Sequence, residues 1–93
     1  MTTFRTLSAM PYAQATVVMY DNNFIGLRSY QTLVAMIDAD GWLTVRGLYS
    51  ATTRRHIGCF VKEYAKIDYQ TAKMLCNDGM EYNIHTGEVR NLF

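Results

Sequence analysis

The hydrophobic period of this chain changes from two to 3.6 at "LYSATTRRHI", residues 48–57. Upstream, apolar residues alternate as in half-buried strands; downstream they recur as on a helix face. Strands gathered in the first half and helices after them define an α+β chain rather than a parallel α/β one. "ATVVMY" (15–20) is rich in β-branched and aromatic residues and reads as a strand. "DNN" (21–23) is a turn, because Asn and Asp tolerate left-handed backbone, and "FIGLRSY" (24–30) is the returning strand. "TLVAMID" (32–38) is a third strand, with Tyr30-Gln31 either a tight turn or a bulge. Asp40-Gly41 is a hairpin signal leading into "WLTVRGL" (42–48).

After the switch, Ser50 is an N-cap for a helix running to about Ala65, with Thr52 a rival cap. Thr53, Ile57, Phe60, Val61 and Tyr64 fall on one arc of that helix, its core face. Asp68 caps a second helix, Ile67 and Ala72 fit a hydrophobic staple, and Gly79 ends it. Residues 81–93 alternate around His85-Thr86-Gly87, as a hairpin does. The expected architecture is an antiparallel β-meander of three to four strands packed by two helices, with a C-terminal β-hairpin. It forms a single domain over 1–93: an N-terminal arm (1–13), meander (14–48), helices (50–78) and hairpin (80–93). Phe4, Leu7 and Tyr12 of the arm are expected to pack against the body.

Composition narrows the function. Nine basic residues meet eight acidic ones, so general affinity for a phosphate backbone is not the first expectation. Cys59 and Cys76 are the only cysteines and form no CxxC, which fits reduced thiols in a cytoplasmic protein. No apolar run reaches the ~18 residues of a membrane-spanning helix, and no secretory h-region is evident.

Within the quoted stretch, Arg55, Gly58, Cys59, Lys62 and Lys66 lie off the core arc of the helix. Together with Arg54, the basic ones form an outward stripe that suits either solvent or an acidic partner. Gly58 in a helix interior costs about 1 kcal/mol relative to Ala, which favours close approach of another group, either a partner or Tyr49 or another strand residue. Thr52 and Thr53 have no glycine-rich loop before them, so capping explains them more cheaply than phosphate binding. His56 is expected to bond a strand or loop carbonyl and pin the helix to the sheet. Glu63, two turns on, is out of its direct reach. Cys59 lies one turn from His56 but lacks an orienting acid, and the two Cys and two His do not match a zinc spacing. No catalytic, metal or cofactor residue is therefore assigned. Trp42 and Arg46 share a strand face opposite Leu43 and Val45. They are interface residue types, and Trp42 could also stack an unpaired base. The alternative is that the arm or the C-terminal hairpin covers them.

"SYQTLVAMID" (29–38), "DGWLTVRGLYS" (40–50) and "TTRRHIGCF" (52–60) resemble a family of small uncharacterised proteins of phages and mobile elements in Gram-positive and gut bacteria. Its pattern is Ser-Tyr-x-Thr-x-Val-Ala followed by Tyr-Ser-x-Thr-Thr-x-x-His-Ile, and the likeness covers a little over a third of the chain. The resemblance brings no activity. It implies a phage-type accessory protein acting in the host-cell cytoplasm, of the class that includes inhibitors of host machinery such as anti-CRISPR proteins. The expected function is a non-enzymatic binding protein that inhibits a host or defence protein, such as a CRISPR effector. Its expected contact residues are Trp42, Arg46, Arg54, Arg55, Lys62 and Lys66. A small nucleic-acid-binding or regulatory protein is the alternative, and a homodimer through exposed sheet edges is open.

Overall fold

The computed structural model describes residues 1–92. Among these residues seven strands form one antiparallel sheet: β1 (Thr3–Arg5), β2 (Ala15–Met19), β3 (Ile25–Ser29), β4 (Thr32–Ile37), β5 (Trp42–Val45), β6 (Met80–Asn83) and β7 (Val89–Asn91). Each strand pairs with its sequence neighbours, in the order β1 to β7. Two helices, α1 (Ala51–Tyr64) and α2 (Tyr69–Asn77), intervene between β5 and β6. The fold is α+β, but the meander is longer than the three to four strands expected. Thr3–Arg5 of the arm pairs with β2, and the C-terminal hairpin continues the same sheet by pairing β6 with β5. Three-residue strands are too short to carry a readable alternation, which hid β1 and shortened β7. Phe93, the end of the expected hairpin, lies outside the described residues.

Local chemistry places each turn. Asn23 takes a φ of 68° after β2, and the Asn22 side chain accepts from Phe24 N–H. Tyr30-Gln31 is a two-residue turn, with Tyr30 itself left-handed at φ 56°. A separate bulge lies in the same β3–β4 hairpin, where the register shifts between Leu27 and Arg28 and leaves Val34 of β4 without a partner in β3. Of the two alternatives open for Tyr30-Gln31, the turn is the one present. Asp38 organises the β4–β5 turn: its carboxylate accepts from Asp40 and Trp42 N–H, each at 2.9 Å.

The two sheet faces differ. Val17, Leu27, Ala35 and Val45 are cross-strand partners in one row, and all are buried on the helix side. The bulge turns Val34 into this core beside Ala35. Phe60, Ile57 and Val61 of α1 and Ala72 and Leu75 of α2 complete it. Ser50 caps α1 by accepting from Thr53 N–H, and Asp68 caps α2 by accepting from Thr71 N–H. Gly79, at φ 63°, follows α2, as its position after the last apolar residue requires. The row next to the core row, Val18, Gly26, Met36 and Thr44, faces away from the helices. From the arm, Leu7 is fully buried, whereas Phe4 and Tyr12 are exposed, so the arm packs through Leu7 alone of the three. Among the described residues no helix is long and apolar enough to cross a membrane.

Candidate functional site

The Ser-Tyr and Thr-Thr-x-x-His-Ile segments meet in the interior. Ser29 Oγ lies 2.8 Å from His56 Nδ1 and 3.1 Å from Thr53 Oγ1. Ser50 Oγ donates to Thr53 Oγ1 at 3.2 Å while accepting from Thr53 N–H. Ser29, Thr53 and His56 are all buried, and burial lowers the His56 pKa below its ordinary value. The imidazole is thus a neutral hydrogen-bonding pin between α1 and β3. The partner is the Ser29 hydroxyl rather than the carbonyl expected. A strand serine pointing inward can replace a main-chain acceptor already used in the ladder. Closed off from solvent, the Ser–His pair offers no access to a substrate.

The opposite side of α1 is open. A groove of about 1150 Å³ runs along it, between the Ser8–Met10 turn and the α1–α2 junction. Met10, Gly58, Cys59, Ile67 and Tyr69 make an apolar floor. Arg54, Arg55, Lys62 and Lys66 stand around it, all exposed. Four of the six expected contact residues therefore share one surface. Two acids lie there as well, and both are engaged. Glu63 accepts from Ser8 N–H at 3.0 Å, which ties the arm to α1. Asp68 accepts from both the N–H and the hydroxyl of Thr71, which hold its carboxyl below the usual carboxylate range. Lys66, left-handed at φ 59°, ends α1 and donates to the Glu63 carbonyl. Gly58 opposes Tyr69: a Cβ there would sit 3.4 Å from the Tyr69 Cβ. The residue facing Gly58 is thus Tyr69; Tyr49 instead packs over Gly47.

Trp42 and Arg46 lie elsewhere. Alternation along β5 places Trp42 and Thr44, with Arg46 next beyond the strand, on the helix-free side of the sheet. Trp42 is not free there. The Arg90 guanidinium sits 3.7 Å from its ring centroid, and Arg90 Nε also donates to Glu81 Oε1. Thr44 Oγ1 donates to Glu81 Oε2 at 3.4 Å. The hairpin therefore covers Trp42 through Arg90, and base stacking on that ring is blocked. Arg46 is exposed. The site residues that sequence reasoning missed are Met10, Ile67, Tyr69 and Arg90. Glu81 and Arg90, opposite charges flanking a hairpin loop, did signal a cross-strand pair. The groove floor carried no such signal, because Ser8 and Glu63 meet across 55 residues. Among the described residues no three His, Cys, Asp or Glu side chains form a set that could hold a metal ion.

A family of unknown function, DUF8033, matches residues 6–76, and the chain belongs to that family. All groove-lining residues fall within the matched span, whereas β6 and β7 lie beyond it. No curated protein matches the chain, and no solved structure does.

Proposed function

We propose that this protein is a non-enzymatic binding module whose α1 groove holds an acidic, amphipathic segment of a target protein, and that occupancy inhibits the target. The observation that carries this reading is the combination of an apolar floor with four cations, while both acids in the groove are already committed to Ser8 and Thr71. Apolar burial supplies affinity, and the cationic rim selects for acidic residues beside the apolar ones. A helix-in-groove mode fits such a surface. The resemblance to phage and mobile-element proteins supports a host or defence protein as target, a CRISPR effector among them, in the host-cell cytoplasm.

The test is capture from host lysate on immobilised protein after nuclease treatment, with Arg55→Glu/Lys62→Glu beside the unaltered chain. The expected result is a protein retained by the unaltered chain and reduced about tenfold or more by the double reversal, with the circular dichroism spectrum unchanged. Equal retention by the reversed variant overturns the groove reading. Retention that vanishes with nuclease assigns the contact to nucleic acid instead.

A further inference from the structure

The helix-free face of the sheet holds a second concavity, of about 400 Å³, over the buried Val18. Phe4 of β1 and Arg28 of β3 stand on either side of it, with Tyr20, Leu33, Thr2 and Gln31 around them. Phe4 is 61% exposed, although it pairs with Val18 in the sheet. The Arg28 guanidinium carbon lies 6.0 Å from the Phe4 ring centroid. A flat ring stacked between two planes needs two van der Waals separations of about 3.5 Å, or roughly 7 Å in all. The pair is therefore about 1 Å short of admitting a planar aromatic group, and the side chain on one wall is a flexible arginine. Thr2, Gln31 and Tyr20 supply donors and acceptors at the edge of such a ring.

Charge on this face is one-sided. Arg28 and Arg46 are exposed, and Glu81 is taken up by Arg90. Asp21, at the β2–β3 turn, is ion-paired with the Met1 ammonium group. An aromatic wall, an arginine plane and unopposed guanidinium groups are the parts with which proteins stack and hold unpaired bases.

We propose that this concavity is a binding site for single-stranded nucleic acid, with one base inserted between Phe4 and Arg28 and the flanking phosphates on Arg28 and Arg46. The site is separate from the α1 groove and stands on its own observations. The probe is a fluorescein-labelled oligouridine of about 15 nucleotides, followed by anisotropy across a salt series. Binding is expected to weaken as salt rises. Phe4→Leu, which keeps apolar cover over Val18 but removes the π-face, is expected to weaken it about fivefold or more, and Phe4→Trp to restore it. Arg28→Gln is expected to act like Phe4→Leu, and Arg55→Glu/Lys62→Glu to leave binding unchanged. No anisotropy change at low salt overturns the proposal. So does binding that ignores Phe4→Leu but is lost in the groove reversal, and so does equal competition by free uridine monophosphate.

Discussion

Ser29 and His56 show how much one buried hydroxyl can decide. Ser29 Oγ serves His56 Nδ1 and Thr53 Oγ1 at once, deep in the α1–sheet junction. Ser29→Ala leaves both without that partner, and the expected loss is about 1–3 kcal/mol of unfolding free energy in a urea titration. The imidazole makes the junction sensitive to pH. Its folded pKa lies below the unfolded value of 6.5. As pH falls, the unfolded chain therefore takes up the proton first. Stability contributed by the neutral ring is complete above about pH 6.5 and declines below it. Asp68 is shifted in the same direction but acts in a more acidic window: its depressed pKa adds stability that is lost only as carboxylates protonate. His56→Asn should therefore be less stable at neutral pH, yet show a flatter dependence between about pH 5 and 7. An unchanged slope would place the titrating group elsewhere. At this scale the sequence was partly readable. That His56 pins a helix follows from its place beside the apolar arc. That its partner is Ser29 does not, because the pairing spans 27 residues and depends on which way β3 faces.

At the scale of elements, α1 has two working faces and one weak position. Gly58 costs the helix about 1 kcal/mol relative to alanine. Tyr69 lies opposite, at a distance where a methyl group makes ordinary contact. Gly58→Ala is expected to raise stability by about 0.5–1 kcal/mol while weakening target capture, since the methyl group rises from the groove floor. Higher stability with undiminished capture would mean that the partner does not reach the floor. The C-terminal hairpin makes a separate contribution through Arg90, which covers Trp42 and neutralises the nearly buried Glu81. Arg90→Met should cost about 1–3 kcal/mol and shift the emission of the single tryptophan to longer wavelength. An unshifted spectrum would show that Arg90 does not shield the ring in solution. Helix caps and the turns at Asn23 and Gly41 were legible because each depends on a few adjacent residues. β1 was not: Thr3–Arg5 becomes a strand only because β2 offers it a free edge.

For the whole molecule, the seven strands of the described residues, in sequence order and with both helices inserted between β5 and β6 on one side, leave two surfaces of different chemistry. The helix side carries Arg54, Arg55, Lys62 and Lys66 over an apolar floor. The sheet side carries Phe4, Arg28 and Arg46, with Trp42 already occupied by Arg90. The six contact candidates read from the sequence divide four to two between these surfaces. Helical periodicity shows which residues share a face, whereas the strand candidates depend on what covers the sheet. β1 and β7 end the sheet with short exposed edges.

Cys59 makes the central claim directly measurable, because its thiol lies on the groove floor. The measurement is the rate of maleimide labelling of Cys59 in a Cys76→Ser background, with and without a saturating amount of the captured target. Occupancy of the groove predicts labelling slowed about tenfold or more, in line with a floor buried at the centre of an interface. An unchanged rate at saturation would contradict it and move the contact off α1.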